Sequence, residues 1–362
     1  MSPIAETMTS KARVRQAIGH RQPDRVAIDF YARDEIVQAL LSHWGLKTHE
    51  QLLRRLGVDL RGVGPRFVPP ALPHCYADPS IAREDGVYRD IWQVGFVLNQ
   101  TAQGQYMDLA DSPLRQVETL EQIERHAWPS PDWWDYSTLA DQARKHADCW
   151  VWAHSRGIFE ISWFIRGFDT FMLDLALRPE LAVAVMDRVQ GYLMERTRRV
   201  LEAGGGLIDM VEYNDDVGGQ GGLLISPDMF RRHLKPRMAE FVRLCRSHGA
   251  AVRYHSCGGI VPIIPDLIEV GIDVLNPVQS LAAGMDPFAL KDRFGERLTF
   301  NGGLDTQSLL PTGTVDEVRR ETERLIAHMN HRGGFILAPS HVFQCDVPLA
   351  NILAVYEVAR GA

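Results

Sequence analysis

A single (β/α)8 barrel spanning residues 1–362 is the fold the sequence predicts, and three observations carry it. From about residue 150 onward, short apolar and β-branched runs alternate with long amphipathic stretches, as parallel strands alternate with covering helices. Each short run ends in polar residues, Gly or Pro, as barrel strands do where they open into functional loops. No Ser/Gly linker or charge run divides the chain into two domains, and no internal repeat or low-complexity segment is present. A doubly wound open sheet is the alternative arrangement of the same βαβ units.

In chain order, residues 1–24 read as an N-terminal extension and first helix, and Arg25–Phe30 (RVAIDF) as the first barrel strand. Glu35–Trp44 and His49–Leu56 have helical spacing. Residues 62–135 are rich in Pro, Gly and Trp and predict an irregular, lid-forming segment with a hairpin around Val87–Leu98. The later strands are 150–155, 207–216, 251–259, 272–279, 298–303 and 334–341. Between them, Leu175–Glu202 carries apolar residues at three- and four-residue spacing, which predicts one long helix. Ser226 as N-cap and Pro227 at the first helical position start another that runs to about His248. A third runs from near Ile260 to Gly271, and Thr314–Arg332 stops at Gly333-Gly334, glycine suiting a left-handed cap.

The net charge of −7 argues against nucleic acid or an anionic membrane as the main partner, because both reward basic patches. No run of about 18 apolar residues predicts a membrane span, and Met1–Arg15 lacks the apolar stretch of a secretory signal. A cytoplasmic location is therefore expected. Five scattered cysteines, Cys75, Cys149, Cys245, Cys257 and Cys345, favour free thiols or metal ligation over a disulfide framework.

The polar ends of the strands are the candidate site: His154 and Ser155, Glu212 to Asp216, His255 and Cys257, Gln279, Asn301 and His341. Two residues apart on a strand, His255 and Cys257 point the same way, and an imidazole and a thiolate together suit tetrahedral zinc. The bland alternative is a buried thiol beside a hydrogen-bonded histidine. His341 or Cys345 would complete the metal site, with His341 nearer its strand end. Glu212, Asp215 and Asp216 form an acidic cluster for acid–base work or substrate contact, unless one of them caps a helix or pairs with an arginine such as Arg166. Trp163 is the expected pocket aromatic, with Phe168 and Phe171 assigned to the core. The glycines at 218–222 lack a Walker lysine and a G-x-G-x-x-G frame, so they are not a phosphate cradle. No G-x-S-x-G nucleophile elbow is present.

The stretches NDDVGGQGGLLISPDMFRRHLKPRM, HSCGGIVPIIPDLIEVGIDVLNPVQ, AAGMDPFALKDRFGERLTFNGGLDTQ and GGFILAPSHVFQCDVPLANILAVYE resemble the uroporphyrinogen decarboxylase-like superfamily, on its cobamide (corrinoid)-dependent methyltransferase branch. The opening KARVRQAIGHRQPDRVAIDF is similar to the family's start, so the resemblance covers nearly the whole chain. It implies the barrel and, in zinc-carrying members, methyl transfer through a separate corrinoid protein. It also implies zinc ligation by His255 and Cys257, with the family's third ligand position falling on His341, Cys345 four residues beyond, and a further ligand position falling on Gln279. In that frame Glu212 and Asp216 are the catalytic candidates, and Trp163, Asp215, Gln279 and Asn301 the substrate-binding ones. The expected reaction is demethylation of a methoxylated or N-methylated small molecule, by a chain that forms a homodimer as the family does. The decarboxylases themselves carry an arginine-rich motif after the first strand; here DFYARDEIV supplies only Arg33, few partners for a many-carboxylate tetrapyrrole. A metal-independent decarboxylase of another substrate, or a non-catalytic tetrapyrrole- or corrinoid-binding barrel, are the competing readings.

Overall fold

The computed structural model describes residues 7–68, 86–101 and 104–361. Cys75 lies outside the described residues. Eight parallel strands form one sheet in which every neighbour but one is sequential: β1 (Ala27–Ile28), β2 (Leu60–Val63), β3 (Trp150–Arg156), β4 (Met210–Asn214), β5 (Ala251–His255), β6 (Val274–Val278), β7 (Thr299–Leu304) and β8 (Phe335–Pro339). The exception is β1 against β8, the pairing that curls the sheet into a barrel. The remaining seam, β1 to β2, is bridged by Asp59, whose N–H donates to the Ile28 carbonyl at 2.9 Å and whose carboxylate accepts the Ile28 N–H.

The barrel interior is layered, as the two-residue period of a strand requires. At the N-terminal end Ala27, Leu60, Trp150, Met210, Val274 and Ile336 form an apolar plug closed by Val14 and Ala17 of the helix Ser10–Ile18. Two residues further along the strands the layer turns polar: Asp29, Trp152, Glu212, Arg253, Asn276 and Asn301. The next step brings His154 and His255 to the mouth. Residues of opposite parity, such as Val211, Tyr213, Val252 and Tyr254, are buried outward in the larger core under the helices. The chemistry therefore sits above an apolar floor, and polar side chains reach it only from alternate positions.

Several elements depart from expectation. The stretch 175–202 is two helices, Phe168–Leu177 and Pro179–Gly204, because Pro179 lacks the N–H a continuous helix needs and instead starts a new one. The helix after Ser226 carries a π turn at Phe230–Leu234 before continuing as Lys235–Ser247. The wider turn lies just ahead of Pro236, whose ring would crowd the carbonyl four residues back in a regular helix. The hairpin near Val87–Leu98 exists but has a third strand: Tyr88–Arg89, Gly95–Thr101 and Gly104–Asp111 form one antiparallel sheet. Strand β2 went unpredicted, lying where the Gly- and Pro-rich region begins. Gly271 ends Ile264–Val270 in the left-handed region, as expected, whereas the helix capped by Thr314 through a full capping box, Val315–Met329, stops at Asn330, ahead of Gly333-Gly334.

Candidate metal centre and the polar barrel mouth

Strand β5 delivers Arg253 and His255 to the interior, and the chain then turns sharply through Cys257-Gly258-Gly259. That turn packs backbone to backbone on the glycine hairpin that follows β4. A Cβ on Gly258, whose φ is +82°, would stand 2.5 Å from the Gly219 nitrogen, and one on Gly218 would stand 2.6 Å from the Cys257 carbonyl. The glycines at 218–222 thus serve close approach of two loops and set the position of Cys257.

Three donor atoms converge at this point. The Cys257 sulfur lies 3.7 Å from His255 Nε2, and Asp216 Oδ1 lies 3.8 Å from the same nitrogen. All three ligand atoms fall within 4.8 Å of one another, and among the described residues no other group of His, Cys, Asp or Glu does so. Zinc bonds of about 2.0–2.3 Å in a tetrahedron place ligand atoms roughly 3.3–3.8 Å apart, so the donor set and its spacing fit zinc. The imidazole is fixed from behind: His255 Nδ1 meets Asn276 Oδ1 at 2.6 Å, leaving Nε2 toward the sulfur, the outer contact that orients a metal-binding histidine. Asp216 also accepts the Cys257 N–H at 2.8 Å, and Gln279 Oε1 accepts the Gly258 N–H at 2.6 Å. Burial and the adjacent Asp216 carboxylate push the Cys257 thiol far above its ordinary pKa, an opposition that a bound cation would relieve.

Beneath this cluster lies a chain of buried charges. Arg253, fully buried, makes an ion pair with Glu212 at 2.7 Å and donates to Asp29 at 3.0 Å, and its guanidinium lies 4.4 Å from the Trp152 ring. Asn301 accepts from Arg253 and, at 2.8 Å, from Asn276, so the charged layer is tied to the imidazole above it. Burial works to raise the Glu212 pKa, but Arg253 outweighs it and holds the carboxylate below its ordinary value. Asp29 goes the other way: burial raises it despite Arg253 and the Tyr31 hydroxyl. His154, at the rim, is 3.8 Å from Glu212 and is lowered to about 4, chiefly by desolvation.

The predicted residues therefore divide. His255, Cys257 and Asp216 come together, with Asp216 as a potential ligand rather than only an acid. His341 stands outside that group, its ring centroid 6.4 Å from that of His255. Cys345 is exposed, beside Glu35, and belongs to no such group. Glu212 is committed to Arg253, and Asn301 is buried in the same network. Asp215 is the helix-capping acid of the cluster. It is 1% exposed, its oxygens accept the Phe159 and Glu160 N–H groups at 3.1 and 2.7 Å, and burial raises its pKa to about 7. Arg166 pairs with Asp174 instead of this cluster. Trp163 is half-buried, stacked on Phe164 at 3.9 Å and edge-on to Phe168. Phe171 is core as expected, whereas Phe168 is exposed. Sequence reasoning missed Asp29, Arg253 and Asn276. The inward parity of Arg253 and Asn276, fixed once His255 and Val274 are placed, was the signal that would have found them.

An eight-stranded parallel barrel with a nitrogen, sulfur and oxygen donor cluster at its strand ends defines a barrel enzyme with a candidate metal centre. The chain belongs to the uroporphyrinogen decarboxylase family: the family model for uroporphyrinogen decarboxylase (URO-D) matches residues 140–362. Among curated relatives, the methylcobamide:CoM methyltransferase MtaA of Methanosarcina barkeri is 26% identical over 196 residues, which is 54% of this chain and 50% of that protein. The uroporphyrinogen decarboxylase of Thermus thermophilus is 26% identical over 180 residues, 49% of this chain and 47% of its own length. The chain thus spans about half the length of the curated relatives it matches. A solved methyltransferase from Methanosarcina mazei superposes with a TM-score of 0.66, covering 97% of this chain and 98% of that one at 19% identity, which shows the shared fold.

Proposed function

We propose that the chain is the substrate-side methyltransferase of a corrinoid-dependent system, demethylating a methoxylated or N-methylated small molecule and passing the methyl group to a separate corrinoid protein at the barrel mouth. The observation that carries this is the convergence of the His255, Cys257 and Asp216 ligand atoms within 4.8 Å of one another, with Asn276 fixing the imidazole. Those three residues would hold zinc; His341 stands at the rim above them, and Cys345 has no part in it. Zinc, when bound, supplies a Lewis acid that makes the demethylated oxygen or nitrogen a better leaving group. The protein's own contribution is positional. Gln279 and Asp216 hold the Cys257 turn, while Arg253 keeps Glu212 ionised under His154 and, through Asn301 and Asn276, steadies the imidazole. The curated methyltransferase relative supports the reading.

The main competitor, a metal-independent decarboxylase of another substrate, leaves the His255, Cys257 and Asp216 cluster without a role, and Arg253 and Arg156 at the mouth are already paired with Asp29, Glu212 and Glu160. Among the described residues no helix is long and apolar enough to cross a membrane. A homodimer acting in the cytoplasm without nucleic acid completes the proposal. The test is zinc per chain by elemental analysis, followed by methyl transfer from a panel of methoxylated and N-methylated compounds to free cob(I)alamin, read as methylcobalamin absorbance. Near one zinc and transfer that depends on Cys257 are expected. No zinc after supplementation, together with no transfer, would overturn the proposal.

A further inference from the structure

A cavity of about 240 Å3 opens beside the mouth, between the end of β3, the helix Pro179–Gly204 and the segment around Trp92 and Trp134. Its walls are aromatic and apolar: Trp92, Trp134 and Tyr192, with Ile91, Ile161 and Leu193. A cavity of about 150 Å3 holds benzene, so this one has room for a single ring with two or three small substituents and none for a tetrapyrrole. His154 lines it and also reaches Glu212 at 3.8 Å, so the cavity adjoins the charged layer under the metal cluster.

One wall residue departs from the pattern of the molecule's fully buried arginines. Arg13, Arg25, Arg166 and Arg253 each meet a carboxylate within 3.0 Å. Arg196, half-buried in this cavity, has no carboxylate partner among the described residues. Its guanidinium lies 4.4 Å from the Trp134 ring centroid and spends one N–H on the His154 carbonyl at 3.2 Å. Five N–H donors belong to a guanidinium, so Arg196 keeps donors free for an anionic ligand, and a planar fork suits a carboxylate. Burial depresses the Arg196 pKa. Tyr192 adds a second donor, since its oxygen accepts from Trp134 Nε1 at 2.8 Å and its own proton remains available. The one acid on the wall, Asp90, is turned to its own loop, where Oδ1 accepts the Trp92 and Val94 N–H groups, and burial raises its pKa to about 6 despite those bonds and the nearby Arg156 and Arg89.

We propose that this cavity is the subsite for a planar aromatic carboxylate, its ring against Trp92, Trp134 and Tyr192 and its carboxylate on Arg196. The inference rests on the methyltransferase reading only in assigning the methyl group to the ring's other substituent, so the substrate class becomes methoxylated aromatic acids. It is tested by isothermal titration and tryptophan fluorescence of the full chain with 3-methoxybenzoate and with its neutral isostere 3-methoxybenzamide, without corrinoid or added metal. The acid is expected to bind at least ten times more tightly than the amide. Arg196→Met should abolish that preference, and Arg196→Lys should keep part of it. Equal binding of acid and amide, no saturable binding of the acid, or a preference that survives Arg196→Met would overturn the proposal. Should Arg196→Met fail to fold, the acid-to-amide ratio of the wild type and of Arg196→Lys still decides it. Intact binding with no methyl transfer would count against the methyltransferase reading and leave the subsite standing.

Discussion

Replacing Arg253 by Met is the sharpest test of how the charged layer holds the barrel. Arg253 is completely buried between Glu212 at 2.7 Å and Asp29 at 3.0 Å, and both carboxylates are themselves at most 5% exposed. Methionine keeps most of the stem but leaves two buried carboxylates without their cation. Breaking a buried pair in this way costs about 3–5 kcal/mol. With unfolding entropy near 2.1 cal/mol/K per residue, a 362-residue chain loses roughly 0.8 kcal/mol per degree, so the midpoint should fall by about 4–7 °C. The pH dependence follows from the same groups. In the wild type the lowered Glu212 pKa contributes stability above the unfolded value, and this is lost only as pH falls through the lowered one. In the variant Glu212 and Asp29 are both raised by burial, so the folded state takes up protons and the variant loses stability as pH rises. The gap between the two proteins should therefore widen from pH 5 to pH 7. Urea denaturation at both pH values measures it, and Arg253→Met/Glu212→Gln should recover part of the loss. A loss below about 1 kcal/mol at pH 7, or one identical at pH 5, would refute the account of the layer as a charge network.

Three further outcomes are expected. Asp216→Asn should strip most of the zinc from the purified protein, whereas Cys345→Ala should leave it in place, both read by elemental analysis; the reverse would restore Cys345 as the third ligand. Asn276→Ala removes the partner of His255 Nδ1 and should weaken zinc about 10- to 100-fold in a chelator competition while leaving the circular dichroism spectrum unchanged. Gly157→Ala would place a Cβ 2.0 Å from that of Asp215, where the carboxylate caps Ile158–Arg166, and should cost at least about 1–3 kcal/mol in urea denaturation; an unchanged midpoint would show that the cap yields freely.

Most of the barrel was legible in the sequence, because the outward parity of the doubly buried strands is largely apolar, the inward parity is apolar at the floor, and the strands end in polar or glycine residues. His255 and Cys257 were legible as a pair from their spacing, although the strand ends at His255 and it is the turn through Cys257-Gly258-Gly259 that brings the sulfur to the imidazole. Less legible were the breaks at Pro179 and ahead of Pro236, where apolar periodicity continues across a missing donor and only local backbone geometry separates a new helix from a π turn. The short strand β2 was hidden by its neighbourhood: four residues beside a Gly- and Pro-rich stretch carry too little pattern to separate from a loop.

What the sequence determined by itself was the alternation that closes the barrel and the identity of the donors at its mouth. What only the tertiary structure decided was which of those donors meet. Asp215 and Asp216 are adjacent in sequence, yet one caps a helix and the other faces His255, because consecutive side chains at a strand end diverge. Arg253 finds Asp29 from 224 residues away, and Arg196 is left without a carboxylate among the described residues. Such pairings are set by strand register and the close packing of two glycine loops, contacts between segments far apart in the chain that no local pattern encodes.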